Sequence, residues 1–289
     1  MTMRDVMDDP RAMAAVKAAL TEDVGEGDAT TLALVDPAAR ATGEILAREA
    51  CRVAGGTVAS AVLGCIDPEL RVAVVVPDGQ PVEPGGTILT IEGKAASILT
   101  AERTALNFMQ RMCGIATLTA RFVEAVQAHG TMILDTRKTT PNLRLFEKYA
   151  VTCGGGTNHR FGLYDRVLVK DNHRRLWQGG DPDRLDLAVA AAREAFPLLE
   201  VEIEVESVAE CQSALRGRPE WIMLDNMSCE MMRACVALCR GVSKTEASGG
   251  ITLARAREVA ATGVDAISLG CLTHSAPSVD LSLEWRAVR

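Results

Sequence analysis

Residues 201–225, VEIEVESVAECQSALRGRPEWIMLD, decide the fold. Val201–Glu206 alternates apolar and acidic residues with the period of a strand. Residues 207–216 are composed as a helix, and Trp221–Asp225 is a second apolar run that ends on an acid. Two strands joined by a helix run parallel, because the crossover carries the chain back to the end of the sheet where it began.

Outward from this unit the rhythm repeats. MILD (ending at Asp135), VLVK (ending at Lys170), TEASGG (through Ser248) and AISLG (ending at Gly270) are further short runs that stop on a polar or glycine position. Helical segments at 183–195 and 252–262 fill the gaps, with a strand spacing of roughly 20–35 residues. Six clear runs fall short of the eight of a complete α/β barrel, so one strand is hidden or the barrel is incomplete. A doubly wound sheet has similar periodicity but does not focus six strand ends on one centre. The part before Met132 is different. Residues 11–20 read as a helix, TEDVGEGDATT as a loop, and Ile45–Arg48, Arg71–Val76 and Thr87–Ile91 as strands between Gly/Pro turns. Residues 95–128 are helical in composition and stop at Gly130. The fold class expected is an incomplete parallel α/β barrel with a smaller N-terminal α+β domain.

Composition narrows the function. The 289 residues are 48% hydrophobic but only 3% aromatic, which predicts an aliphatic core. No run approaches the ~20 apolar residues of a membrane span, and the charged first twenty residues lack the apolar centre of a signal peptide. Nine cysteines, an odd number without a CxxC pair, predict reduced thiols and a cytoplasmic protein; Cys229, Cys235 and Cys239 read better as helix thiols than as a zinc site. A net charge of −7 argues against nucleic acid as a partner. From Arg137 to Arg175, however, nine Lys/Arg stand against three Asp/Glu, a local +6 that leaves −13 for the rest. A basic island in an acidic chain suits a small, highly anionic ligand.

In a barrel the strand ends carry the chemistry. Here they supply Asp135-Thr136-Arg137-Lys138, then Lys170, the Glu202/Glu204/Glu206 strand, Asp225, Ser248-Gly249-Gly250 and Gly270. Arg grips a planar carboxylate with two parallel hydrogen bonds, and Lys acts as a point charge for pyrophosphate. Glycine loops opening helices let backbone N–H groups reach a phosphate. Three carboxylates on one strand face need solvent, cations or a metal such as Mg²⁺; the lower ones are expected to pair with neighbouring cations.

At these residues the sequence resembles the quinolinate phosphoribosyltransferase family over nearly its whole length. The matching stretches are EDVGEGDATT (22–31), ILTAERTALNFMQRMCGIAT (98–117), DTRKTTPNLR (135–144), EKYAV (147–151), GGGTNHR (154–160), VKDNH (169–173), EIEVE (202–206), MLDN (223–226), EASGGI (246–251) and LGCLTHS (269–275). The resemblance implies a seven-stranded barrel and a homodimer in which each N-terminal domain closes its partner's site. The division expected is an N-terminal α+β domain at 1–115, the barrel at 116–275, and a tail at 276–289 packing back on the N-terminal domain. The substrates implied are quinolinate and phosphoribosyl pyrophosphate, with Mg²⁺ as cofactor and nicotinate mononucleotide, pyrophosphate and CO₂ as products. Arg103, Arg137, His159, Arg160 and Lys170 would hold the two carboxylates of quinolinate. Thr136 and Lys138 would lie beside the pyridine and the pyrophosphate, with Lys138, Glu204 and Asp225 catalytic. Glu204 and Asp225 would bind ribose hydroxyls or the metal, and Ser248, Gly249, Gly250, Gly270 and His274 the 5′-phosphate.

Asn142, Cys113 and Thr152 depart from the residues common there, glycine, serine and a basic residue respectively; none removes an implied ligand. Two alternatives stand beside this reading. One is the paralogous barrel transferase encoded with molybdate-transport genes, against which the intact NHR and KDNH stretches argue. The other is a non-catalytic phosphosugar-binding protein, against which the retained acids and leaving-group cations argue.

Overall fold

The computed structural model describes residues 5–177 and 180–288. Asp9 starts α1 (Pro10–Val24): its carboxylate accepts the Arg11 N–H, and Pro10 occupies the first turn, where no N–H is needed. Gly25, at φ 53°, stops the helix. The stretch read as a loop, 21–31, takes in the last turn of α1 and the start of a second helix, α2 (Ala29–Leu34), because the Asp28 carboxylate accepts the Thr31 N–H and supplies the cap. Then come β1 (Arg40–Ala47), β2 (Cys51–Arg52), α3 (Gly56–Ile66), β3 (Arg71–Val74), β4 (Pro81–Val82), β5 (Thr87–Lys94) and the 32-residue α4 (Ala95–Val126). A 3₁₀ turn and Gly130, at φ 67°, end that helical region as its sequence predicts.

The repeating part follows as β6 (Met132–Leu134), α5 (Arg144–Cys153), β7 (Val167–Val169), α6 (Asp171–Arg175), α7 (Leu185–Ala195) and β8 (Val201–Val205). It continues through α8 (Val208–Arg216), β9 (Trp221–Asp225), α9 (Cys229–Cys239), β10 (Lys244–Ser248), α10 (Leu253–Ala260), β11 (Ala266–Ser268), α11 (Cys271–His274) and β12 (Leu281–Val288). All six predicted strands are present.

The chain forms two compact units. The first takes the residues up to Ala120, Lys138–Gly155 and those from Cys271 onward; the second takes Arg121–Arg137 and Gly156–Gly270. These units are discontinuous in sequence, whereas the division expected from the sequence, at 115 and 275, is contiguous. The first of those boundaries falls inside the continuous helix α4, and the segment carrying α5 groups with the N-terminal residues.

In the first unit a four-stranded antiparallel sheet runs β12-β1-β5-β3. The tail strand β12 is an edge strand, paired with β1 from Ala47↔Leu281 to Ala41↔Val288. Ile98, Leu106, Met109, Met112 and Ile115 of α4 are buried. Gly114 on that helix has no room for a side chain: a Cβ would stand 1.9 Å from the Pro277 carbonyl oxygen.

In the second unit six strands form one parallel sheet, β6-β11-β10-β9-β8-β7. Thr157 adds a seventh parallel segment beside β6: its N–H donates to the Ile133 carbonyl (2.8 Å) and its carbonyl accepts from Asp135 N–H (3.3 Å). A one-residue bridge leaves no hydrophobic run to read, which is why the sequence shows six strands. The register sorts the side chains into levels. Glu202 lies opposite Trp221; Glu204 and Glu246 both lie opposite Met223; Ser248 lies opposite Asp225. Residues alternate faces along a strand, so these share the face that carries Trp221, whose ring packs with Leu134 and Ala266. The opposite face, Ile203, Ile222 and Leu224, is wholly buried and apolar.

Candidate active site

The second unit gathers Asp135, Thr136, Arg137, His159, Arg160, Lys170, Glu204, Asp225, Ser248, Gly249, Gly250 and Gly270. Arg137 and Arg160 are half-buried neighbours. Burial, and then the Arg137 cation, lower the Arg160 pKa from its ordinary value, so this corner favours an anion. The Arg160 guanidinium is steadied by the Arg166 carbonyl at 3.2 Å. Lys170 Nζ is paired with the Glu204 carboxylate. The backbone N–H of Lys170 donates to His173 Nδ1 (2.9 Å), which fixes the start of the KDNH turn.

His159 is placed differently from a residue at an open mouth. Its side chain is buried, and Nε2 lies 3.1 Å from Glu202 Oε2 and 3.4 Å from Glu246 Oε2, two carboxylates with no exposed surface. Burial works against the imidazolium and the two carboxylates favour it; the Arg160 backbone N–H donated to Nδ1 leaves the ring proton on Nε2, facing Glu202 and Glu246. Burial, followed by the Glu202 charge, raises the Glu246 pKa; the Glu202 pKa is lowered because His159 and Arg166 together overcome its burial. Glu202, expected to be a lower, cation-paired residue of its strand, is paired in that way, with Arg166 Nη1 at 3.3 Å. Glu206, beyond the end of β8, is exposed.

Among the described residues, His159, Glu202 and Glu246 are the group close enough together to share a metal ion. The chemistry of the site offers Mg²⁺ a better place. Mg²⁺ takes oxygen ligands and keeps several waters, so it suits partly accessible carboxylates. Glu204, buried and paired with Lys170, and half-buried Asp225 lie one level apart on the same face of adjacent strands and are the carboxylates that could hold it. Asp225 is half-buried, and its Oδ2 accepts from Asn226 Nδ2 at 2.7 Å.

The glycine loop after β10 is built against the loop after β9. Asn226, at φ 53°, donates its N–H to the Ser248 carbonyl at 2.9 Å. Gly249, at φ 94°, has no space for a side chain: a Cβ would stand 2.1 Å from Asn226 Oδ1 and 3.0 Å from the Asn226 backbone nitrogen. Gly249→Ala should therefore cost about 1–3 kcal/mol of stability from backbone strain, which a denaturant melt checks; an unchanged melt would show that the loop tolerates a side chain there.

Arg103, Lys138 and His274 belong to the first unit. Arg103 is exposed on α4, and His274 is exposed with Nδ1 against Ser275 Oγ. The Lys138 backbone is held in place, since its carbonyl accepts from Thr273 Oγ1 at 2.7 Å. Buried Glu147 accepts from both the N–H and Oγ1 of Thr140 (3.0 and 2.9 Å) and pairs with Arg111 at 2.9 Å. Arg111 also donates to the Thr273 carbonyl, so one ion pair braces the loop after Lys138. The sequence reading missed Arg111, Glu147, Arg166 and Glu246. Glu246 alone left a local signal, because it alternates with Ser248 along β10 and must share its face.

The three departures are accommodated. Asn142 adopts φ 65°, the left-handed conformation asparagine tolerates. Cys113 is buried, its Sγ 3.3 Å from the Ala54 nitrogen. Thr152 Oγ1 donates to the Tyr149 carbonyl at 2.7 Å. All nine cysteines are free thiols.

An incomplete parallel α/β barrel with cations, acids and a glycine loop at its strand ends defines a class of enzymes suited to anionic ligands. Comparison with known proteins narrows the class. The N-terminal domain of quinolinate phosphoribosyl transferase matches residues 28–113, and the C-terminal domain matches residues 115–284. The chain belongs to the quinolinate phosphoribosyltransferase family. It is 40% identical over 285 residues to a decarboxylating quinolinate phosphoribosyltransferase of Nicotiana tabacum, covering 93% of this chain and 81% of that one. It is 38% identical over 263 residues to a probable carboxylating nicotinate-nucleotide pyrophosphorylase of Bacillus subtilis, covering 91% and 89%. The solved nicotinate-nucleotide pyrophosphorylase of Francisella tularensis superposes with a TM-score of 0.90 at 35% identity, covering 99% of this chain and all of that one.

Proposed function

We propose that this protein transfers the phosphoribosyl group of phosphoribosyl pyrophosphate to quinolinate and decarboxylates the product, giving nicotinate mononucleotide, pyrophosphate and CO₂. The observation that carries the reading is the pairing of two neighbouring half-buried arginines, Arg137 and Arg160, with a carboxylate pair and a glycine loop on successive strand ends. Two adjacent guanidinium groups fit a substrate with two adjacent carboxylates.

Arg137 and Arg160 orient the pyridine so that its nitrogen faces the ribose carbon, and the glycine loop holds the 5′-phosphate; this removes the entropic cost of meeting. As the C–O bond to pyrophosphate breaks, Lys138 meets charge growing on the leaving oxygens and the carboxylates face the electron-poor ribose carbon. Mg²⁺, when bound by Glu204 and Asp225 or through the ribose hydroxyls, supplies charge neutralisation of the pyrophosphate. The pyridine nitrogen is itself the nucleophile, so no activated side chain is required. Once alkylated, the ring nitrogen is cationic and stabilises the electron pair left on the neighbouring carbon when CO₂ departs; a proton then takes that position. The protein works as a homodimer in the cytoplasm, a setting that nine free thiols suit.

Arg160→Ala should raise KM for quinolinate about 30-fold or more, because the lost partner is a carboxylate present throughout the reaction. Asp225→Ala and Lys138→Ala should instead lower kcat by roughly 10²–10³, since they face charge that changes during it. Steady-state kinetics with both substrates varied tests the split. An Arg160→Ala enzyme with unchanged KM and collapsed kcat would contradict the assignment. The proposed reaction itself is tested by supplying phosphoribosyl pyrophosphate, Mg²⁺ and quinolinate and following CO₂ release.

A further inference from the structure

We infer that Glu246 is a positioning residue: through His159 it fixes the backbone that presents Arg160, and so sets the affinity for the substrate's carboxylates. The inference rests on the quinolinate reading given above. Glu246 lies on β10, wholly buried, at the level of Glu204 and Met223. Its Oε2 is 3.4 Å from His159 Nε2, and Glu202 Oε2 stands on the same nitrogen at 3.1 Å. The other ring nitrogen, Nδ1, accepts the backbone N–H of Arg160 at 2.7 Å. The His159 backbone N–H in turn donates to Asp135 Oδ1 at 2.9 Å, and Asp135 is also wholly buried. His159 is thus held by hydrogen bonds at Nδ1 and at its backbone, with two buried carboxylates facing Nε2 at 3.1 and 3.4 Å, and the residue it holds directly is Arg160.

Glu202 and Glu246 are not equivalent. Glu202 also pairs with the Arg166 cation, whereas the partner of Glu246 within 4 Å among the described residues is the His159 ring. A buried carboxylate costs stability that an apolar residue of similar size would not, and Met223 and Ala266, its register partners, would accept one. What the carboxylate adds is direction: with Glu246 and Glu202 on one nitrogen, the imidazole cannot turn about its Cβ–Cγ bond without leaving a carboxylate behind. The ring plane then fixes Nδ1, and Nδ1 fixes the Arg160 backbone. Neither Glu246 nor Glu202 needs to touch substrate.

The test compares Glu246→Leu with Glu246→Gln. The leucine variant should raise KM for quinolinate by about 10- to 100-fold, the scale of a roughly 1 Å misplacement of a binding group. Its KM for phosphoribosyl pyrophosphate and its kcat should stay within about threefold of wild type. Glu246→Gln keeps a polar oxygen facing His159 Nε2 and should restore most of the affinity. In an Arg160→Ala background, Glu246→Leu should add no further rise in KM, because the two residues act on one contact. A merely structural role would lower the melting temperature and the active fraction, with the two KM values unmoved. A folded leucine variant with unchanged quinolinate KM, or a glutamine variant no better than leucine, overturns the inference. If the leucine variant does not fold, Glu246→Thr, too short to reach His159, takes its place in the same comparison with Glu246→Gln. Wild-type turnover of quinolinate is measured first. Its absence refutes the proposed activity and this inference with it, whereas turnover with a KM indifferent to position 246 refutes only the role of Glu246.

Discussion

Nicotinate should be a poor substitute for quinolinate, with kcat/KM lower by ~30- to ~4,000-fold, corresponding to roughly 2–5 kcal/mol for a charge left without its partner in a desolvated site. The cause lies in the Arg137–Arg160 corner. Two guanidinium groups close enough to lower the Arg160 pKa are already in mutual repulsion, and each is half-buried. In the proposed assignment quinolinate would neutralise both with its 2- and 3-carboxylates. Nicotinate offers only the 3-carboxylate and would leave one cation desolvated and facing another. A site built for two hydrogen-bonding anions rejects an analogue lacking one far more strongly than an apolar pocket rejects a missing methyl group. The chemical step adds to the discrimination, because nicotinate has no 2-carboxylate to release as CO₂ and cannot draw on that irreversible loss. Competition between the two pyridines at equal concentration, read by product chromatography, gives the ratio directly. Comparable kcat/KM values would sink the two-carboxylate assignment and move the chain toward a transferase of another acid.

How far the sequence carried this picture depends on the range of the interactions concerned. The six strands were legible because each is an apolar run ended by a polar residue, a signal that local periodicity contains. Glu202 was legible as a paired interior residue because three acids on one strand face cannot all be solvated. The strand at Thr157 was not legible, since one residue of pairing has no period. Helix α2 was missed because Ala-Thr-Thr has weak helical preference and the cap that starts it is a single aspartate. The brace on the Lys138 loop joins Arg111 to Glu147, 36 residues apart, and His159 meets Glu246 across several strands. Such pairs follow from topology, so a family resemblance can point to His159 as a site residue without showing that its Nε2 faces two buried carboxylates. The resemblance names site residues, and the structure adds what holds them.

Arg103→Ala and Glu204→Ala should each be nearly inactive as pure proteins, and mixing them with verified subunit exchange should bring activity back. Arg103 is exposed on α4 in the first unit, whereas Glu204 lies in the second, on β8 with its carboxylate on Lys170. We propose that Arg103 serves the site of the opposite subunit. A two-fold dimer achieves this with one self-complementary contact, because any residue given to the partner's site is matched by the same residue received. After equal mixing and free exchange, about half of the dimers contain one subunit of each kind. Each mixed dimer then has one site with both Arg103 and Glu204 intact and one site lacking both, so about a quarter of all sites should be active. If Arg103 serves its own subunit, every site in a mixed dimer carries one defect and nothing returns. Mass spectrometry of the mixture establishes exchange independently of activity. Exchange without recovery would remove the shared site from the proposal and leave the reaction standing, because the Arg137–Arg160 corner, the Glu204–Asp225 pair and the glycine loop all lie within one chain's second unit.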